Sequence, residues 1–203
     1  MSKILIINAS VVPKENSRSF AITELFLEKY KLNNPQDEII VLDLNNEEMA
    51  KQSLWKGNMN AFWTPELSGK YQDQIKSVDK LVMVTPMINW NISPLLKNYI
   101  DRITLANVTF SYSKSTHPEG IPAGLLTNIK SFQAITTKGS PTHWYSEFIN
   151  IGEYLNGLFT LLGAKVKPAL VLGGMDMPPL VGQKPSDVAK VFEKEITEAA
   201  NKF

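Results

Sequence analysis

At 203 residues, with 43% hydrophobic and 20% charged side chains, the chain is long enough to bury one substantial core and too apolar to be disordered. Its 21 basic and 20 acidic side chains leave a net charge of +1, so no long-range field draws it onto nucleic acid or an anionic membrane; small neutral or mixed-charge partners fit better. The absence of cysteine removes disulfides, iron–sulfur clusters, thiolate nucleophiles and cysteine-ligated zinc, so redox chemistry would have to come from a bound cofactor.

The first residues, M-S-K-I-L-I-I-N, carry four consecutive strong hydrophobes, too few for a signal-peptide core, and no later run approaches a membrane span. The expectation is a cytoplasmic protein with one domain over residues 1–203. Lys3 to Asn8 (KILIIN) reads as a buried strand. After a polar loop containing Pro13, the residues Ala21, Ile22, Leu25, Phe26 and Tyr30 recur at helical spacing. Glu38 to Asp43 (EIIVLD) is a second strand, followed by the polar segment Asn45 to Glu48 and a weakly helical region to about Ser77. Lys80 to Thr85 (KLVMVT) is short, rich in β-branched residues and without polar alternation, as expected of a strand buried on both faces. Ser93 can cap a helix whose first residue, Pro94, has φ already set and needs no amide partner. A fourth strand is predicted near Lys130 to Thr136, a helix from about Ser146 to Leu162, and a fifth strand near Val166 to Leu172. The last helix is predicted from Asp187 behind Ser186, with Val188, Val191, Phe192, Ile196 and Ala199 on one face. Five strands separated by helices imply right-handed crossovers and a parallel sheet covered on both sides. Two segments fall outside this alternation. Met49 to Leu67 holds Trp55, Phe62 and Trp63, and Val108 to Leu126 holds Phe110 and Tyr112; both read as the mouth of a site, a subunit contact or the edges of the core.

Three loops would then meet at the carboxyl edge of the sheet, where open α/β folds bind ligands. The first, Asn8 to Ser19 (NASVVPKENSRS), leads into a helix amino terminus, whose unpaired amides and partial positive charge stabilise a phosphate. Ser10, Ser17 and Ser19 add hydroxyls there and Arg18 adds charge, although Ser17 serves equally as an ordinary cap and Arg18 as a solvated cation. The loop lacks both G-x-G-x-x-G and G-x-x-x-x-G-K-[ST]. Dinucleotide and triphosphate binding are therefore unsupported, and a monophosphate such as that of FMN remains. In the second loop, Pro86 to Ile92, the amides near Met87 to Trp90 and the Asn89 side chain can bond the polar edge of a flat isoalloxazine ring; Trp90 either walls the ring or packs. In the third, Thr136 to Ser140, Gly139 lets backbone approach a ring closely. Lys138 is either the positive group that stabilises a reduced flavin or an exposed, solvated lysine. His143 reads as a surface histidine or a substrate contact. The two histidines have no carboxylates at metal spacing, and no Ser-His-Asp arrangement can be assembled.

On the motif P-M-I-N-W-N-I followed by L-K-N-Y-I-D (Pro86 to Asp101), V-T-F-S-Y (Val108 to Tyr112) and P-E-G (Pro118 to Gly120), the chain resembles the FMN-dependent NADH azoreductases of the flavodoxin-like superfamily, which also act as quinone reductases. The likeness runs over nearly the whole length. It implies a three-layer α/β sandwich with a five-stranded parallel sheet of order 2-1-3-4-5. It also implies an FMN whose phosphate is held by Ser10, Ser17, Arg18 and Ser19 and whose ring is contacted by Pro86, Met87, Ile88, Asn89, Trp90, Lys138, Gly139 and Ser140. NADH would be the transient reductant, quinones or azo compounds the acceptors, and the mechanism two half reactions at one site. The resemblance further implies a homodimer with a site at each subunit interface, in which the excursion carrying Phe110 and Tyr112 walls the partner's pocket. Two departures stand out: Ile88 where the family commonly has tyrosine, and T-K-G-S where it has a Ser-Arg-Gly-Gly type loop. Alternatives from other classes are an FMN-binding electron carrier, for which the charge of +1 is poorly suited, and a hydrolase, for which no nucleophile with its base is present.

Overall fold

The computed structural model describes residues 1–203. Its strands and helices, in chain order, are β1 (Lys3–Asn8), α1 (Arg18–Asn33), β2 (Glu38–Asp43), α2 (Lys70–Lys76), β3 (Lys80–Pro86), α3 (Pro94–Ile103), β4 (Phe110–Ser111), β5 (Ala123–Gly124), β6 (Ser131–Thr137), α4 (Ile151–Leu161), β7 (Leu170–Leu172), α5 (Pro185–Val191) and α6 (Glu193–Lys202). The parallel sheet runs β2-β1-β3-β6-β7, the expected 2-1-3-4-5 order once the β4–β5 hairpin is set aside.

Side chains point alternately to the two faces of a strand, and this divides the apolar residues into two cores. Leu5 and Ile7 of β1, Leu81 and Met83 of β3, and Phe132 and Ala134 of β6 pack with Leu96, Tyr99 and Ile103 of α3 and with Leu155 and Phe159 of α4. Their neighbours Ile4, Ile6, Val82, Val84 and Ile135 face the other way, onto Ile22, Phe26 and Tyr30 of α1, Val188 of α5 and Ile196 of α6. The result is the flavodoxin-like three-layer sandwich. Each fully buried aliphatic or aromatic side chain contributes roughly 1.5 to 3 kcal/mol relative to exposure, so the central strands are the firmest part of the molecule. No helix is long and apolar enough to cross a membrane.

Several predicted boundaries move, each for a local reason. The helix expected from Ser146 begins at Ile151, because the Asn150 side chain accepts from the Glu153 amide at 3.1 Å and caps it, leaving 142–148 as turns. The strand expected over Val166 to Leu172 is ladder only at Leu170–Leu172, with Val166 in an isolated bridge to Phe132. Pro168 lies between them and has no N–H to give to a ladder. The last helix starts at Pro185 and breaks at Phe192 (φ −102°, ψ 18°) into α5 and α6. That break turns Val191 out to solvent, so it does not share the buried face of Val188 and Ile196. The weakly helical region resolves into short turns at Leu44–Asn46, Glu48–Lys51 and Pro65–Gly69 ahead of α2.

Candidate functional site

The loops after β1, β3, β6 and β7 enclose a cleft of about 370 Å³ at the carboxyl edge of the sheet. From the first loop, Ser10, Ser17, Arg18 and Ser19 line it; Pro86, Met87 and Ile88 come from the second, and Lys138 and Gly139 from the third. The convergence expected from sequence is therefore present in the folded chain. A fourth loop, after β7, closes the cleft with Met175 and Asp176, and neither was foreseen. The available signal was the loop's position, since it leaves the same edge of the sheet through Gly173 and Gly174.

At the α1 end, Ser17 caps the helix by accepting from the Phe20 amide at 3.1 Å, so the cap reading of this residue holds. Its hydroxyl also lies 2.7 Å from that of Ser10 and 3.2 Å from that of Ser19, forming a buried row of three hydroxyls. The amides of Arg18 and Ser19, in the first turn of the helix, have no acceptor within it. Arg18 is not a freely solvated charge: its guanidinium donates to Asp176 at 3.0 Å and more weakly to the Leu180 carbonyl at 3.5 Å.

After β3, Ile88 and Asn91 exchange both main-chain hydrogen bonds, 2.8 and 3.0 Å, around Asn89 and Trp90. Both central residues have positive φ, 47° and 62°, which defines a primed hairpin turn. Asparagine tolerates that conformation; tryptophan does not, and strain held in this way gathers at functional positions. The amides of Asn89 and Trp90 donate to nothing in the chain. Trp90 is about half exposed and meets the Tyr145 ring edge-on at 6.1 Å. Asn89 and Trp90 stand beside the cleft rather than on its walls.

After β6, Lys138 departs from the exposed-lysine alternative, since only 8% of the residue is accessible and its ammonium donates to the Trp144 carbonyl at 2.7 Å. Burial pushes its pKa down. The amides of Gly139 and Ser140 find no acceptor in the chain, and the buried Ser140 hydroxyl is likewise unpaired. A Cβ at Gly139 would meet the Asp176 carboxylate, so a larger residue there would require that side chain to move. A second cavity of about 270 Å³ adjoins the first, sharing Met87, Thr137 and Lys138, and is closed by Tyr145, Ile149, Asn150, Ala169 and Val171.

Two expected pocket residues stand apart from these walls. His143 is exposed in the 142–148 turns, and Phe110 packs against the core beside Tyr112, with ring centres 5.7 Å apart. Neither lines either cavity.

A parallel sheet of this order, with a row of serines at the first helix and three strand-end loops presenting unpaired amides, defines a protein of the flavodoxin-like class. The model of a family described as having a flavodoxin-like fold matches residues 2–196. An FMN-dependent NADH:quinone oxidoreductase of Mesoplasma florum is 42% identical over 204 residues and is covered, like this chain, to 100%. A relative of the same name in Mycoplasma mobile is 42% identical over 205 residues, covering 100% of this chain and 99% of its own. Among solved structures, an azoreductase from Bacillus anthracis superposes with a TM-score of 0.79 at 26% identity, both chains covered to 100%. An FMN-dependent NADH-azoreductase from the same organism, in complex with FMN, gives 0.73 at 27% identity over 100% of this chain and 99% of the other. The chain belongs to the family of FMN-dependent NADH:quinone oxidoreductases and azoreductases.

Proposed function

We propose that the cleft binds one FMN noncovalently and that the chain is an FMN-dependent oxidoreductase using NADH to reduce quinones and azo compounds. The observation that carries this reading is the fit between the donors of the cleft and the two polar parts of FMN. At one end, the hydroxyls of Ser10, Ser17 and Ser19, the free amides of Arg18 and Ser19, and the Arg18 guanidinium would take the phosphate. At the other, the unpaired amides of Asn89, Trp90, Gly139 and Ser140 would bond the polar edge of the ring, with Pro86, Met87 and Ile88 against its face. Bound FMN supplies the two-electron chemistry, taking a hydride from NADH and passing electrons to the acceptor while protons come from solvent. The protein's part is to bind the ring, orient it and set the charge around it, so no side-chain acid or base is needed. Use of NADH as reductant fits a cytoplasmic enzyme.

A second copy of the chain completes the reading. Leu54, Trp55, Met59 and Tyr112 expose apolar surface on the two segments that stand outside the strand and helix alternation. A homodimer would cover it and set Phe110 against the partner's site.

Purified protein should show a flavin spectrum that bleaches with NADH and returns with menadione or benzoquinone. Double-reciprocal plots at several quinone concentrations should be parallel, because reductant and acceptor use the same face of the ring in turn. Protein that stays colourless in excess FMN, or that releases FAD on heating, overturns the cofactor assignment. Reduction by NADH with no transfer to any quinone or azo dye favours an electron carrier instead.

A further inference from the structure

The two cavities share Met87, Thr137 and Lys138, and of these only Lys138 carries a charge. The residue is largely buried, its ammonium has one protein acceptor, the Trp144 carbonyl at 2.7 Å, and it takes part in no ion pair. The one carboxylate on the walls of the FMN cleft, Asp176, is already held by Arg18 at 3.0 Å, and the one on the second cavity, Glu153, makes no bond to Lys138. A largely buried ammonium with no carboxylate to pair with is costly in the resting protein. Desolvation lowers its pKa accordingly. The cost is offset if a negative charge arrives beside it.

Such a charge follows from the chemistry of the cofactor. A hydride carries two electrons and one proton, so a neutral isoalloxazine ring that accepts one gains a unit of negative charge, concentrated on its pyrimidine side. The phosphate donors lie at the α1 end of the cleft, which leaves the ring for the end formed by Met87, Ile88, Lys138 and Gly139.

Resting on the FMN reading above, we propose that Lys138 is the counter-cation of the reduced cofactor: it binds reduced FMN more tightly than oxidised FMN and so raises the reduction potential. The competing role is mechanical. Through Trp144 the same ammonium ties down the turn that carries Tyr145, whose φ is +64° and whose ring packs against Trp90. A latch would support both redox forms equally; a counter-cation favours one.

The test uses FMN-loaded protein and compares Lys138→Met, Lys138→Gln and Lys138→Arg with the original chain. Potential is read by spectroelectrochemical titration, and affinity for oxidised FMN by fluorescence titration of the apoprotein. Both neutral variants should lose at least tenfold more affinity for reduced than for oxidised FMN, which for a two-electron couple is a fall in potential of about 30 mV. Lys138→Arg should stay close to the original. The glutamine variant serves if methionine prevents folding. An unchanged potential with weaker binding of both forms makes Lys138 a latch and overturns the proposal. An arginine variant shifted as far as the neutral ones does the same, because shape rather than charge then matters. Failure of the FMN reading is recognised separately, as an original chain that takes up no flavin.

Discussion

Trp90 shows how much a single residue can be asked to hold. A bulky side chain at positive φ costs on the order of 1 to 3 kcal/mol, and Trp90 sits there with about half its surface exposed, so packing returns little of that cost. Trp90→Gly should therefore raise the urea midpoint of the apoprotein while lowering quinone turnover, because the turn that presents the free amides of positions 89 and 90 loses rigidity. A variant that is both more stable and fully active would remove the tryptophan from the site. At the opposite end of the cleft, Ser17→Ala with Arg18→Ala should weaken oxidised FMN more than Lys138→Met does. Each lost charge-assisted bond to the phosphate is worth about 1.5 to 3 kcal/mol, and equilibrium titration of the apoprotein measures the difference. Far from the cleft, the Asp37 carboxylate accepts from the Ser2 amide at 2.6 Å and from the Tyr30 hydroxyl at 2.5 Å, and these bonds hold the Asp37 carboxyl below its ordinary range. A folded pKa below the unfolded one means a contribution that is complete above the unfolded value and lost as pH falls through the folded value. Asp37→Asn should thus lower the melting temperature at pH 7, and the difference from the original chain should shrink in acid. A constant difference from pH 7 to pH 2 would contradict this origin.

Among the elements, the glycines of β5 and α4 make opposite demands. Gly124 lies so close to the backbone of Leu162 and Gly163 that any Cβ would overlap it, whereas Gly157, exposed within α4, has open space around its Cβ position. Gly124→Ala should destabilise the fold by about 1 to 3 kcal/mol, as overpacking does. Gly157→Ala should stabilise it by roughly 0.5 to 1 kcal/mol, through the entropy that glycine loses in a helix. Urea titrations of the pair read both signs, and a like sign for the two would refute the packing argument. Element starts marked by short polar caps were legible, as at Ser17 and Ser93. Those displaced by one side chain were not. Asn150 capping α4 and Pro168 interrupting the fifth strand act over a few residues, while the apolar spacing used to place elements averages over more.

On the scale of the whole molecule, the segments holding Trp55, Met59 and Tyr112 leave these side chains 67%, 60% and 65% exposed. Covering them against a second copy predicts a dimer by light scattering at micromolar concentration, and Trp55→Lys with Tyr112→Lys should shift it towards monomer. A monomer that reduces quinones at an undiminished rate would detach the interface from the site.

Much of this architecture was written in local pattern. The runs KILIIN and KLVMVT have no polar alternation and hence no solvent face, so β1 and β3 had to lie inside a parallel sheet with helices on both sides, and the loops leaving the carboxyl ends of its strands had to gather at one edge. That is why the sequence pattern alone gathers Ser10, Ser17, Arg18, Met87 and Gly139 at the edge where the cleft lies. What depends on distant partners was not written locally. Asp176 reaches Arg18 across 158 positions of sequence, and Trp90 meets Tyr145 only because two strands end side by side. Lys138 is chemically an ordinary surface residue until the 142–148 turns fold over it and supply the Trp144 carbonyl. Composition and spacing specify which faces are buried; the charge environment of the cleft is a sum over groups far apart in sequence, and only the tertiary structure brings them within range of one another.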